Sequence, residues 1–409
     1  MTMRPVSIVV VSRDRPAALA RCITGLAQLD HAPFEVVVVA CHDGLAAIEA
    51  HPKAAEIKTV AYDLPNISAA RNRGIAAAAG EVVAFIDDDA VPEPSWLSRL
   101  TAPFETDAVA ATGGFVIGRN GFSLQWGAGT VDVTGNRHPL HLDDEAPEIL
   151  HPAAGRAIKT EGTNMAVRRD VLARLGGFDP AYRFFLDETD LNMRIAATGA
   201  GTALVPLARV HHGIAPSARR HADRTPRDLT EIGASKAVFL RRHAPSELHQ
   251  AALAAFHKEQ RTRLLRAMQR GPLDPGDVVR LMRGLARGIK AGQARELSTL
   301  APLPRAASGF LPFSAAPGAS HRLIPCRVWA RSAADNEAQR AVKAGDTVTR
   351  LCLSPTTLYH RMRFRPDGVW VQDGGLFGRS DRDGPVFRWR TFAGRVNEEA
   401  ARLRRFRNL

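Results

Sequence analysis

Three carboxylates in a row close the segment Phe85-Ile86-Asp87-Asp88-Asp89, directly after the apolar run Val82-Val83-Ala84-Phe85-Ile86. Such a run reads as a buried strand, and open α/β sheets place ligands at the C-terminal ends of their strands. Three acidic side chains crowded there repel one another and lose solvation, so the arrangement is costly unless a cation sits among them. A divalent metal carrying a phosphorylated substrate is the simplest such cation. The plain alternative is a polar strand exit, with Asp89 capping a turn ahead of Pro92 and Pro94. A second acidic group, Asp187-Glu188-Thr189-Asp190-Leu191, opens a helical stretch, where carboxylates favour the positive N-terminus.

The elements that must position these acids follow from periodicity. Ser7-Ile8-Val9-Val10-Val11 is an unbroken apolar run, and Pro16 suits the first turn of a helix over residues 17–29. Further strands are expected at 34–39, weakly at 60–62, and at the run ending in the triplet; an Ala-rich helix over 69–79 stops at Gly80. Strands alternating with helices of this length imply βαβ units and a mostly parallel sheet. No Gly-x-Gly-x-x-Gly turn follows the first strand and no Gly-Lys-Ser/Thr motif is present, which argues against dinucleotide dehydrogenases and P-loop enzymes. Residues 109–167 mix strand-like runs with a long loop at 135–152 rich in His, Pro and acids, and such loops are usually functional or mobile. Helices are expected at 170–175, stopping at Gly176-Gly177, and at 189–198, stopping at Gly199. Residues 226–300 read as amphipathic helix interrupted at Gly271-Pro272, 303–325 as a Pro/Ala/Ser/Gly linker, and the rest as a small mixed unit.

Composition narrows the class. The chain has 409 residues, 45% hydrophobic and 24% charged, which suits an ordinary soluble protein of two or more domains. No apolar run approaches the roughly 18–20 residues of a membrane span. The N-terminus carries no segment with signal-peptide character, and Cys22, Cys41, Cys326 and Cys352 lack CxxC spacing, so free thiols and a cytoplasmic setting are the expectation. The net charge of +13 is split: residues 1–212 carry −6 and residues 213–409 carry +19, mostly Arg. An excess of that kind fits an anionic membrane surface or nucleic acid, or merely Arg-rich solvated helix faces. No nucleic acid is expected, because basic residues interleaved with aromatics are not evident.

Taken in order, Ser7 to Arg15, Ile67-Ser68-Ala69-Ala70-Arg71-Asn72-Arg73-Gly74, Phe85 to Asp89, and Gly176-Gly177-Phe178-Asp179 leading to Asp187-Glu188-Thr189-Asp190-Leu191 resemble glycosyltransferase family 2, the inverting enzymes of GT-A fold. The resemblance covers about residues 4–215, and its strength is the ordered set. It implies that Asp87 faces the nucleotide ribose of the donor, that Asp89 is a metal ligand, and that Asp88 lies between them. It implies a donor site that includes Val11, Ser12, Arg15 and Arg71, with Arg71 touching the diphosphate or base through its planar guanidinium. A histidine past the second acidic motif completes the metal site in family members. His211 and His212 point to opposite faces if that segment is extended, so one of them would reach the metal, with His211 preferred. The cofactor would be Mn²⁺ or Mg²⁺, and Mn²⁺ tolerates an imidazole better. The family's usual Glu-Asp pair is swapped here to Asp187-Glu188, and Glu188 holds the place of the base that deprotonates the acceptor hydroxyl, with burial expected to raise its pKa. Asp190 has a structural role. Gly162-Thr163-Asn164-Met165-Ala166 also matches, placing Gly162 and Asn164 on the acceptor side.

One departure follows the second strand. Where the family carries an Asp that accepts a hydrogen bond from the base, Ala40 stands, so either Asp43 or His42 substitutes from the loop or backbone groups recognise the base. The resulting expectation is an α/β protein with a GT-A (Rossmann-like), mostly parallel sheet at 1–215, a helical extension at 216–302, a linker at 303–325 and a small basic α+β unit at 326–409. It would be a metal-dependent glycosyltransferase moving a sugar from a nucleotide diphosphate to a glycan or lipid-linked acceptor in bacterial surface polysaccharide synthesis, with its basic C-terminal half suited to the inner face of an anionic membrane. The alternative is a non-catalytic nucleotide-sugar or glycan-binding protein that keeps the fold.

Overall fold

The computed structural model describes residues 4–142, 145–213, 215–315 and 320–409. Its first unit alternates strands and helices: β1 (Val6–Ser12), α1 (Pro16–Leu26), β2 (Phe34–Ala40), α2 (His42–Glu49), β3 (Ile57–Ala61), α3 (Ile67–Ala77) and β4 (Val82–Asp87). The four strands are parallel in the order β3-β2-β1-β4. The side chains of β1, β2 and β4 are almost all buried on both faces, which is why these strands read as continuous apolar runs rather than alternating ones. Beyond β4 the sheet turns antiparallel at Met165–Arg168 and Val109–Ile117, and Gly201–His212 then runs parallel to Val109–Ile117. One face of the sheet closes on α1, with Leu19, Cys22, Ile23 and Leu26, and the other on Ile75, Leu172, Phe178, Leu191 and Ile195. Each such fully buried side chain contributes about 1.5–3 kcal/mol by leaving water, enough to hold the strand ends in a fixed row.

Several boundaries differ from expectation for local reasons. The third strand begins at Ile57 rather than at residue 60, because pairing with Val36 extends it in that direction. The 135–152 stretch contains the short strands Arg137–Pro139 and Glu148–Leu150, and residues 143 and 144 of it lie outside the described residues. The acidic helix opens at Asp187, two residues early, and runs to Ala196.

Residues 226–300 form three helices, Thr230–His243, Ser246–Gln269 and Pro275–Ala294, the last closed by a reciprocal capping box of Asp274 and Asp277. The stretch read as a linker is pinned along the first unit by Leu303 N–H to the Ala173 carbonyl, Leu311 N–H to Glu35, and Phe313 against Phe34. The last unit is a sheet of His321–Arg327, Thr347–Ser354, Arg361–Phe364 and Val369–Gly375 with the helices Arg331–Lys343 and Phe392–Leu403. It packs on the first unit through Val91 against Met362, Phe364, Trp370 and Leu403.

Candidate active site

At the end of β4 the chain turns through Asp88 and Asp89 into β5 (Ala90–Pro92), which pairs with the last residues of Gly201–His212 in the register His212 to Ala90 and His211 to Val91. That register sets His212 beside the triplet: its Nε2 lies 3.2 Å from Asp89 Oδ1 and 3.9 Å from Asp87 Oδ2. His211 faces the other way. Its Nε2 lies 2.8 Å from Glu93 Oε1 and its ring packs on Trp370, so the preference for His211 as the metal ligand is corrected to His212.

The triplet divides its labour. Asp88 is fully buried, accepts from Ser12 Oγ at 2.7 Å and pairs with Arg15 at 2.6 Å; burial pushes its carboxyl up to about 7 against the pull of Arg15. Asp89 Oδ2 receives the Ala215 N–H at 2.6 Å and Arg15 at 3.1 Å. Burial alone would raise the Asp89 carboxyl, but His212, Arg15 and the Ala215 N–H outweigh it and hold it well below the usual range. Asp89 Oδ1 and His212 Nε2 are both buried and have no hydrogen-bond donor or acceptor. Nδ1 of the same imidazole lies 3.3 Å from the Gln125 side-chain oxygen; a hydrogen on Nδ1, donated there, is the tautomer that would free Nε2 to ligate a metal between the carboxylates. Buried polar atoms are ordinarily paired, and two lone-pair atoms this close, with Asp87 beside them, fit a divalent cation. The cation anticipated among these acids is thus in part protein, Arg15, while Asp87, Asp89 and His212 are placed so that they could hold a metal.

The second acidic group faces the first across a cleft of about 940 Å³ that Val11, Ser12 and Arg15 also line. Phe185 and Leu186 both adopt left-handed backbone, φ 74° and 64°, just ahead of Asp187. Such residues cost about 1–3 kcal/mol each and persist where their surroundings hold them. Here Ser235 Oγ donates to the Phe184 carbonyl, and the Phe185 ring stacks on Phe256 of the helical extension. Glu188 Oε1 is 2.8 Å from Lys159 Nζ. Burial pushes Glu188 up, yet Lys159 and then Arg71 more than offset it and bring it down to about 2, which corrects the expectation of a raised value. At Asp187 burial prevails and pushes the carboxyl above its usual range, against the Arg71 guanidinium that pairs with it.

Arg71 joins the two groups. It is 4% exposed and bonds Asp187, Asp87 (3.4 Å) and the Gly162 carbonyl (3.0 Å), with its guanidinium over Phe178. A Cβ at Gly162 would come within 2.6–2.9 Å of that guanidinium, so only glycine permits the approach. Arg71 is therefore a brace between the acidic segments rather than a free donor contact. Asn164 is corrected as well: it is fully buried, receives Trp96 Nε1–H and donates to the Phe115 and Ala208 carbonyls, leaving nothing for an acceptor. Asp43 sits in the first turn of α2 with its side chain 74% exposed against His42, outside the cleft, and the wall at that corner is Tyr62, Leu64 and Pro65. Asp190 bonds His243 and Arg194, a tie between helices.

Four contributors were not anticipated. Lys159 stands three residues before Gly162, in the Lys-Thr-Glu stretch whose charges gave a signal. Lys236 and Arg263 bring the helical extension into the cleft wall. Arg407 has the least sequence signal: it makes a bidentate pair with Glu93 (2.7 and 2.9 Å), Glu93 holds His211, and His211 adjoins His212 in the strand, so the C-terminal unit backs the acidic turn.

A mostly parallel sheet with an acidic turn at the end of its fourth strand, facing a second acidic pair across one cleft, is the GT-A architecture of glycosyltransferases. A family model described as glycosyltransferase like family 2 matches residues 4–231, and the chain belongs to that family. It is 30% identical over 234 residues to the O-antigen biosynthesis protein RfbC of Myxococcus xanthus, covering 54% of this chain and 18% of that protein. It is 28% identical over 265 residues to the pre-mycofactocin glycosyltransferase of Mycobacterium tuberculosis, covering 58% of this chain and 52% of that one. The chain thus spans about half of one relative and less than a fifth of the other. Among solved structures, GalNAc-T7 with UDP, GalNAc and Mn²⁺ aligns with a TM-score of 0.42 at 18% identity, over 52% of this chain and 44% of that chain. Among the described residues, no helix is long and apolar enough to cross a membrane.

Proposed function

We propose that the chain is a metal-dependent inverting glycosyltransferase that moves a sugar from a nucleotide diphosphate to a hydroxyl of a glycan or lipid-linked acceptor. The observation that carries this reading is the buried cluster of Asp89 Oδ1 and His212 Nε2 with Asp87, of which Asp87 and His212 line one cleft with an ionised Glu188. Asp89, His212 and Asp87 would hold Mn²⁺ or Mg²⁺, which when bound neutralises charge on the departing diphosphate. Arg15 keeps Asp89 ionised and turned toward the cation. Glu188 accepts the proton of the acceptor hydroxyl as that oxygen attacks the anomeric carbon from the face opposite the leaving group, which inverts the configuration. Lys159 holds that carboxylate in its ionised form. Asp187, tied to Arg71, positions the segment rather than taking the proton. Tyr62 and Val11 flank the corner suited to the nucleoside, with backbone groups replacing the acceptor that Ala40 lacks. The name of the Myxococcus relative favours surface-polysaccharide assembly as the setting.

A panel of UDP-, GDP- and dTDP-sugars with and without Mn²⁺, read by thermal shift, tests the reading. The right donor raises Tm only with the metal present, because a ligand of the folded state stabilises it by mass action. Equal shifts for every nucleotide without metal would refute it.

A further inference from the structure

One edge of the small C-terminal sheet is apolar and cationic at once. His321–Arg327, Thr347–Ser354 and Val369–Gly375 run parallel, so their C-terminal ends share that edge. The loops leaving those ends carry seven of the thirteen exposed large hydrophobic side chains among the described residues, including the two most exposed, Trp389 at 76% and Trp329 at 74%. Monomeric surfaces scatter such residues singly, and clustering marks an interaction site.

The patch is continuous. Trp389 stacks on Phe377 at 5.0 Å, Phe387 meets the same ring at 5.8 Å, and the Phe377 N–H donates to the carbonyl of Thr356, next to the loop that presents Leu358. Phe377 and Phe392 share one cluster with Leu353 and Leu376, and the Arg327 guanidinium lies over both Phe392 and Trp329. The three loops, residues 327–331, 354–361 and 375–392, hold seven arginines against Asp381 and Asp383. Glu398 on the neighbouring helix pairs with Arg388 and Arg390, yet Arg388 stays 63% exposed.

We propose that this edge docks on the surface of an anionic bilayer, with Trp329 and Trp389 at headgroup depth and Arg327, Arg331 and Arg388 on lipid phosphates. Indole combines an apolar body with one N–H, which suits the headgroup layer, and arginine binds phosphate through its planar fork. The exposed aliphatic members Val328, Leu358 and Val386 decide against nucleic acid, which would leave them in water, whereas a bilayer covers them. The proposal stands apart from the catalytic reading, since none of these residues lines the cleft.

Co-sedimentation of the full chain with phosphatidylcholine vesicles and with phosphatidylcholine–phosphatidylglycerol vesicles tests it, with a homopolymer RNA as competitor. Binding to the anionic vesicles alone is expected, weakened by salt and not displaced by RNA. The double variant Trp329→Ser/Trp389→Ser should bind about tenfold more weakly, given the interfacial preference of Trp. In the unaltered protein, brominated lipids should quench Trp emission, which keeps the test open if the double variant fails to fold. Equal binding to neutral vesicles, displacement by RNA, absence of quenching, or a folded double variant that sediments like the parent would each overturn the proposal.

Discussion

The two acidic groups of the cleft differ in what neutralises them. Asp187 and Glu188 already have protein cations, Arg71 and Lys159, at hydrogen-bonding distance. Asp89 has Arg15 on one oxygen only, and its other oxygen lies 3.2 Å from His212 Nε2. Glu188 is held ionised by a fixed cation, Lys159, whereas Asp89 has one oxygen placed to receive a mobile ion. On the proposed function the Asp87–Asp89 turn serves the leaving diphosphate and the Asp187–Glu188 pair the attacking hydroxyl, and each prediction below strains that contrast at one place.

The largest effect belongs to Glu188→Gln, which should lower kcat by roughly 10²–10⁴-fold, the range for removing a general base, while Mn²⁺ binding measured by calorimetry stays as in the parent. Asp89→Ala should weaken Mn²⁺ by more than about 100-fold, beyond the loss typical of outer-shell changes. Retained affinity in that variant would dissolve the division between the two groups.

Behind the metal cluster, Arg407→Met strips the buried Glu93 of its partner, and breaking such a pair costs about 3–5 kcal/mol. Chemical denaturation should show that loss together with a Mn²⁺ affinity reduced by about 10-fold, as for other outer-shell partners. Unchanged affinity in a destabilised variant would make the C-terminal unit a mere neighbour of the site.

The smallest effect is a shift in pH. Lys159 and Arg71 bring the Glu188 value down to about 2, so its ionised form persists through mild acid, and the stability it contributes is present above its unfolded pKa and lost only as pH falls through about 2. Lys159→Met should raise the folded value and move the acid limb of kcat upward at saturating metal. A limb that stays in place would mean another group carries it.

Much of this site was legible in the chain because both acidic groups sit where regular elements end: a buried strand running into Asp87, and a helix opening at Asp187. The parallel order of β1 to β4 follows from unbroken apolar runs separated by amphipathic helices. What stayed hidden depends on register and on distance along the chain. Alternation alone says that His211 and His212 face apart; only the pairing of β5 with the last strand says which one meets Asp89. Arg407 reaches Glu93 from 314 residues away, and no local pattern encodes that. Asn164 looked like a site residue because the segment Gly162 to Ala166 matches the family, yet the strand that follows turns it into the core, where Trp96 claims it. The direction of the Glu188 shift was missed for the same reason: burial was foreseeable, and the cation that outweighs it was not.

The most direct test of the two-group account is Mn²⁺ titration of the parent, Asp89→Ala and Glu188→Gln by calorimetry, each paired with a turnover assay on the donor found by thermal shift. The account predicts that both variants lose turnover and that only Asp89→Ala loses the metal. A Glu188→Gln protein that no longer binds Mn²⁺, or an Asp89→Ala protein that binds it as tightly as the parent, would contradict it.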